Sequence, residues 1–558
     1  MSKNGHRNRK RTVLIVVCIL VPLAAIVAGM LLPACSKARE KARRVSPQKE
    51  IKSLSKSAQR VTHMKPSVEQ DQSPRETLPP GMNREDYEHT EANPFRQVED
   101  RPLSTFSIDV DSASYANTRR FLKDDRLPPA DAVRIEEMIN YFDYAYPQPE
   151  GKHPFSITTE FGNCPWQTDH QLLHIGLQGR TIDTENVPPS NLVFLVDVSG
   201  SMRNSKKLPL LKKSLNLLVD QLRAQDRISM VVYAGSSGVA LNPTSGDKKE
   251  KIKQAINSLE GGGSTAGSKG IKLAYKKANE NFLDDGNNRV ILATDGDFNV
   301  GITDEGGLVR LIEKKRESGI FLSVLGFGTG NYQGSKMEKL SNKGNGNYAY
   351  IDSILEAKKT LVEEFGGSMM TIAKDVKIQI EFNPTVVKSY RLIGYVNRQL
   401  DKEDFRDDTK DAGELGSGHS VTALYQVVPV GVESGHEPGD VPDLKYQEKD
   451  VKKEAKESGE LGTVKFRYKK PDGDESILMK EPVSADMSEN PSTNFHWSAA
   501  VAMFGMELRD DEYKGTTNYG LITEMARSGM SSTDASDYRK EFLRLVKRAE
   551  TLETVSEE

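Results

Sequence analysis

Residues 192–196 read Leu-Val-Phe-Leu-Val, and the run stops abruptly at Asp197, Ser199 and Ser201. So short and so apolar a stretch suits a strand buried on both faces of a parallel sheet. In open α/β sheets, ligand sites lie just beyond the carboxyl ends of such strands. The three polar side chains therefore fall where a site is expected. All three offer hard oxygen donors, with no sulfur and no imidazole among them. That chemistry favours Mg²⁺, Mn²⁺ or Ca²⁺ over zinc or copper.

The sequence around this run alternates between strand and helix. Between 190 and 365 the apolar periodicity predicts strands at 192–196, 227–233, 238–241, 289–294, 320–327 and 347–350. Helices are expected at 206–225, 248–259, 268–282, 305–318, 336–343 and 353–364. Such alternation implies an α/β fold with a mostly parallel, doubly wound, Rossmann-like sheet.

The flanks read differently. Before the central region, a strand is expected over 103–110. Asp111 or Ser112 then caps a helix carrying Tyr115, Arg119, Phe121 and Leu122. A second helix over 129–142 and strands at 155–161 and 171–176 follow. From 373 onward, strands at 376–381, 386–392, 421–428 and 464–468 look antiparallel, and Pro471-Asp472-Gly473-Asp474 is a hairpin signal. Residues 431–462 read as a charged insertion, and helices at 492–509 and 535–552 close the chain. Neither flank has strands enough to close a core alone. The flanks are therefore expected to form one β-rich platform with the central domain inserted in it. The division expected is 1–35 targeting segment, 36–93 disordered stalk, 94–185 N-terminal flanking domain, 190–365 central domain, and 373–555 C-terminal β-rich and helical domain.

The chain has 558 residues and a formal net charge of -3, so nothing in the overall balance points to nucleic acid. Its three cysteines are Cys18, Cys35 and Cys164. Only Cys164 belongs to the expected folded part, which argues against a disulfide-stapled fold. Lys3, Arg7, Arg9, Lys10 and Arg11 precede an almost unbroken apolar run over 13–32. Roughly 20 apolar residues span a bilayer, whereas a signal-peptide core has about 7–15. Two readings stay open. Leu32-Pro33-Ala34-Cys35 resembles a bacterial lipobox with Cys35 lipidated, and the length of the run suits an uncleaved anchor of the kind that starts some pilin-like proteins. Either way the rest of the chain is tethered to a membrane of the bacterial cell envelope and is expected to face the periplasm or exterior. Basic residues stand on both sides of the run, so charge does not fix its orientation. A flexible stalk over 36–93 would set the folded part on the order of 4 nm from the bilayer.

Asp197-x-Ser199-x-Ser201 alone also fits a cluster of helix caps. Two further features raise it. The loop 261–267, Gly-Gly-Gly-Ser-Thr-Ala-Gly, delivers the hydroxyl of Thr265 at the start of a helix. Thr294-Asp295-Gly296-Asp297 ends the next buried strand in a second carboxylate. Together the three pieces resemble the metal-ion-dependent adhesion site of von Willebrand factor A domains. The resemblance implies a divalent cation, Mg²⁺ or alternatively Mn²⁺ or Ca²⁺. Ser199, Ser201 and Thr265 would approach it, while Asp197 and Asp295 hold its waters or bind directly. Two carboxylates formally neutralise the ion, and the neutral hydroxyls leave its open side able to take an Asp or Glu carboxylate from a protein partner. The resemblance further implies that ligation shifts the final helix of the domain, 353–364.

The flanks are similar to those of bacterial von Willebrand A proteins of the YfbK type. The similarity rests on 106–115 (Phe-Ser-Ile-Asp-Val-Asp-Ser-Ala-Ser-Tyr), 416–425 (Gly-Ser-Gly-His-Ser-Val-Thr-Ala-Leu-Tyr) and Phe495-His496-Trp497. The function implied is a membrane-tethered, cation-dependent protein-binding module. A structural subunit of an envelope complex with a static metal site is the alternative, and a metal-dependent hydrolase a remote one. No catalytic residue is nominated: Gly-x-Ser-x-Gly, His-Glu-x-x-His and Walker A patterns are missing from the sequence. His170 and His174 lie on or beside an expected strand and are not spaced as on a zinc-binding helix. Asp109, Asp111 and Ser112 read as a strand end and helix cap, and His496, Trp497 and Met503 as packing.

Overall fold

The computed structural model describes residues 85, 87, 89–108, 111–263, 267–296, 305–329, 333–433, 435, 451–530 and 537–557. The apolar segment 13–32, Cys35, Asp109, Thr265 and Asp297 lie outside these residues. Among the described residues, no helix is long and apolar enough to cross a membrane.

In chain order the strands are β1 (Arg96–Gln97), β2 (Leu103–Ser107), β3 (Phe155–Asn163) and β4 (Gln171–Gly179) before the central domain. The central domain contributes β5 (Ser190–Asp197), β6 (Arg227–Tyr233), β7 (Ser237–Ser245), β8 (Asn287–Thr294), β9 (Ile320–Phe327) and β10 (Tyr348–Ile351). After it come β11 (Thr371–Phe382), β12 (Val387–Ile393), β13 (Gly413–Gly416), β14 (Ser420–Pro429), β15 (Glu460–Lys469) and β16 (Ser476–Ser484).

The central sheet has the order β10-β9-β8-β5-β6-β7. All its pairings are parallel except that of the edge strand β7 with β6. Every residue of β5 is buried, which explains its uninterrupted apolar sequence. One face is covered by the helices Leu208–Gln221 and Lys249–Asn257 through Leu211, Leu215, Ile252 and Ile256. The other is covered by Gly267–Glu280 and Glu305–Glu317 through Ile271, Tyr275, Leu308 and Ile312. From β5 the chain winds outward through β6 and β7, and from β8 the opposite way through β9 and β10. The β5/β8 boundary is thus the topological switch point, where the strand ends leave a crevice for a ligand.

The two flanks share their sheets. One has the order β1-β12-β14-β4-β3, and another runs β13-β11-β15-β16 with β2 added on β11. Leu424 of β14 stands opposite His174 of β4, and Ile378 of β11 opposite Phe106 of β2. Phe106, Ile175, Ile378, Tyr425 and Phe466 fill a core common to both sheets. Strand alternation sends Leu172 and Leu424 to the opposite face of the first sheet. There they meet Trp497, Met503 and Phe542 from the helices Thr493–Arg509 and Asp537–Glu557, with the helix Tyr519–Ser528 alongside. From the N-terminal flank, the helix Ala113–Lys123 places Ala113 and Ala116 in the core on one face of the central sheet.

Several local expectations give way to tertiary bonds. The helix expected over 129–142 is a 3₁₀ turn, Ala130–Ala132, and a short helix, Ile135–Ile139, with Arg134 extended between them. The Arg134 amide donates to Ser114 Oγ and its guanidinium reaches Glu338 at 2.7 Å, which fixes the extended backbone. Ser112 makes no side-chain cap bond to its helix. The Asp111 carboxylate accepts from the Tyr348 amide at 3.0 Å and so ties the flank to β10. The final helix of the central domain is broken into Ile354–Lys358, a π-turn over Lys359–Glu363, and Phe365–Met369. The last part of the expected stalk packs on the folded region. Glu85 pairs with Arg120 at 3.0 Å, and Asn93 donates to the carbonyls of Leu392 and Gly394.

Candidate metal centre

Asp197 is the last residue of β5, and Asp295 follows the last residue of β8. Val196 and Ala293 are direct neighbours in the parallel register, so the two carboxylates leave adjacent strand ends. Both are fully buried. After Asp197 the chain turns back on itself. The Ser199 amide donates to Asp197 Oδ1 at 2.8 Å, and Ser199 Oγ lies 3.0 Å from Ser201 Oγ. A 3₁₀ turn over Gly200–Arg203 holds this arrangement, with Met202 buried beneath it.

The glycine loop is seated directly on that turn. The Gly262 amide donates to Val198 O at 2.7 Å, and the Gly200 amide to Gly263 O at 3.0 Å. Arg203 Nε donates to Gly261 O at 2.7 Å. Gly263 has φ +86, a conformation that glycine adopts without steric cost. The helix Gly267–Glu280 then packs against β6, where a Cβ on Gly270 would approach Tyr233 Cβ to 2.8 Å. Asp197, Ser199, Ser201 and Asp295 are thus collected at the switch point. Thr265, two residues past Gly263, falls outside the described residues.

The electrostatics suit a cation. Burial pushes the Asp197 carboxyl up to about 6, the neighbouring Asp295 adds to the rise, and the Ser199 amide opposes it. Asp197 Oδ2 is buried and has no hydrogen-bond partner among the described residues. A buried anionic oxygen left this way is costly unless a positive group meets it. Lys207, just before the helix Leu208–Gln221, meets the other carboxylate: its Nζ lies 2.8 Å from Asp295 Oδ2. Nothing in the sequence distinguished this lysine from a solvated one at a helix start. Two carboxylates and two hydroxyls make a hard donor set that fits Mg²⁺, Mn²⁺ or Ca²⁺. Among the described residues, no group of three or more His, Cys, Asp or Glu is placed to hold a metal, so a site here depends on hydroxyl ligands.

The other candidate groups are structural. His174 is buried between the Tyr146 and Ser498 hydroxyls, at 2.7 and 2.9 Å, and burial pushes it down to about 3. His170 lies 2.8 Å from Gln426 Nε2 in the same interior. Cys164 is buried, and burial pushes its thiol up to about 12, far from thiolate reactivity. Trp497 and Met503 are fully buried in the helical core.

A doubly wound sheet with an oxygen-donor cluster at its switch point defines a von Willebrand factor A domain protein, and residues 191–364 match the von Willebrand factor type A domain family. Residues 367–552 match the family described as "Uncharacterized protein YfbK, C-terminal", and 81–174 match one described as "von Willebrand factor". The chain is 42% identical over 485 residues to the "Uncharacterized protein YfbK" of Escherichia coli K12, covering 86% of this chain and 83% of that one. It belongs to the YfbK family. The human inter-alpha-trypsin inhibitor heavy chain H3 is 28% identical over 198 residues, 33% of this chain and 22% of its own length. A solved von Willebrand factor type A protein from Catenulispora acidiphila aligns over 72% of this chain and 92% of its own, with TM-score 0.38 and 14% identity. Its A domain gives the chain a protein-interaction module.

Proposed function

We propose that the chain is a membrane-tethered, divalent-cation-dependent protein-binding module of the bacterial cell envelope. The observation that carries this is the pair of buried carboxylates on adjacent strand ends, one with an unpartnered oxygen, beside two hydroxyls 3.0 Å apart. Asp197, Ser199, Ser201 and Asp295, with Thr265 from the glycine loop, would hold the cation. The ion supplies a Lewis-acidic position that accepts a carboxylate oxygen. The chain's own residues set the conditions for that event. Asp197 is oriented by the Ser199 amide, and the 3₁₀ turn holds the two hydroxyls together. Gly261, Gly262 and Gly263 bring no side chain of their own to the turn they sit on. A partner's Asp or Glu is the ligand this arrangement favours, and no residue of the site is assigned a catalytic role. Tethering rests on the apolar run over 13–32, with Cys35 as the residue for lipidation if the segment is cleaved.

The test is capture from membrane extract with the full chain as bait, in Mg²⁺ or in EDTA, with Asp295→Ala as control. A partner held in Mg²⁺ and lost both in EDTA and with the variant is the expected result. A partner retained in both would move recognition to the platform and leave any ion at this site structural.

A further inference from the structure

Arg289, near the start of β8, is a buried charge with no carboxylate bonded to it among the described residues. It is 1% exposed. Its Nη1 donates to Ser323 Oγ at 2.7 Å, and the guanidinium lies 5.6 Å from the centre of the Phe321 ring. Its Nε is buried with no hydrogen-bond partner among the described residues. Burial pushes the group down to about 10, and the one charge opposing that shift is Glu414 on β13. Glu414 is a poor counter-ion at neutral pH. Burial, with Asp375 next, pushes its carboxyl up to about 8, and its Oε1 accepts from Asn345 at 3.1 Å. A buried guanidinium left without an anion is costly.

Strand alternation sets Arg289 on the same face of the central sheet as Ile291, and Ser323 on the same face as Leu325. Over that face lies a cavity of about 360 Å³, a volume within the range of small-molecule sites. Ile291, Ser323, Leu325 and Ala349 line it from the sheet, Leu361 and Phe365 from the broken final helix, and 417–420 from the platform. The charged side chains along it are accounted for. Lys359 pairs with Glu364, Glu363 pairs with Lys358, and Asp143 is exposed. His419 is neutral, because burial and then Lys359 push it down to about 4. The apolar walls thus end beside one uncompensated cation. We propose that this cavity is a binding site for a small organic carboxylate with an apolar tail. Its carboxylate meets Arg289 beside Ser323, and its tail lies on Ile291, Leu325 and Leu361.

The experiment is a calorimetric titration of the full-length protein with octanoate, with 1-octanol and acetate as controls. Octanoate is expected to bind wild type at least about tenfold tighter than 1-octanol, since a charge-assisted hydrogen bond separates the two. Acetate, which lacks the tail, is expected to bind weakest. Bound octanoate should slow hydrogen exchange over 359–367. Arg289→Met, confirmed as folded by circular dichroism, is expected to lose the preference for octanoate over octanol, and Arg289→Lys to keep most of it. Octanol bound by wild type as tightly as octanoate, or a preference undiminished in Arg289→Met, would overturn the role of Arg289. No binding of octanoate by wild type, or binding that leaves exchange over 359–367 unchanged, would overturn the site itself.

Discussion

Replacing Arg119 by methionine is expected to lower the free energy of unfolding by about 3–5 kcal/mol, the range for breaking a buried charge cluster by removing one partner. Arg119 is fully buried, on the N-terminal flank's helix Ala113–Lys123. Its guanidinium contacts Asp352 after β10, Glu356 at 2.7 Å in the broken final helix, and Glu541 at 3.1 Å in the C-terminal helix. The Tyr141 hydroxyl completes the cluster, accepting from Arg119 at 2.9 Å and donating to Glu356 at 2.9 Å. One side chain thus joins both flanks to the central domain. Methionine fills much of the volume but leaves three buried carboxylates facing one another. Burial already raises the Glu356 carboxyl, and Arg119 is the main group opposing that rise. Denaturant unfolding measures the loss of stability, and hydrogen exchange should show faster exchange over 354–363 in the variant. An unchanged midpoint would mean that the cluster does not hold the final helix to the platform.

Asp197→Asn is expected to trade function against stability. The amide keeps an acceptor for the Ser199 amide but removes one of the two charges, so affinity for a divalent ion should fall by at least about 100-fold at pH 7.5. The metal-free variant should nevertheless be more stable than metal-free wild type at that pH. The Asp197 carboxyl is raised from 3.8 to about 6, first by burial and then by Asp295. Between those two pH values the native state keeps a proton that the unfolded chain has released. The neutral form's advantage is therefore complete below 3.8 and is lost as pH rises to about 6. Above that, ionised Asp197 costs on the order of 1–3 kcal/mol, which asparagine avoids. Thermal unfolding in EDTA should show the variant melting higher at pH 7.5 and level with wild type near pH 3.5. Added Mg²⁺ should raise the wild-type melting temperature and leave the variant unchanged.

The central domain was legible because its strands are buried on both faces, which makes β5, β8 and β9 read as apolar runs closed by polar residues. That a ligand site belongs beyond the ends of those runs could be read from the sequence, and the candidate donors from the side chains that end them; the switch point between β5 and β8 needed the strand order. The sharing of the platform by both flanks followed only as a count of strands. Which strand pairs with which, such as β4 with β14, has no signature in a single sequence. Edge strand β16 was missed because most of its side chains face solvent, and the four-residue β13 is too short to show a period. The helix Tyr519–Ser528 was missed although Asn518 caps it through the Leu521 amide, a signal the sequence did carry. The break at Arg134 arises from a long-range contact, which local periodicity does not report, and the π-turn over Lys359–Glu363 had no signal in the apolar pattern. Lys207 and Arg119 were opaque for one reason: a charged side chain is ordinarily solvated, and only the fold brings the partners that bury it.

The central claim is that the strand-end cluster holds a divalent cation through hydroxyl ligands. Its most direct test is a calorimetric titration of Mg²⁺ into the full-length protein at pH 7.5, set beside the Ser199→Ala, Ser201→Ala double variant. One ion bound per chain in the wild type, and none in a folded double variant, is the result the account predicts. No binding by the wild type, or undiminished binding after both hydroxyls are removed, would contradict it.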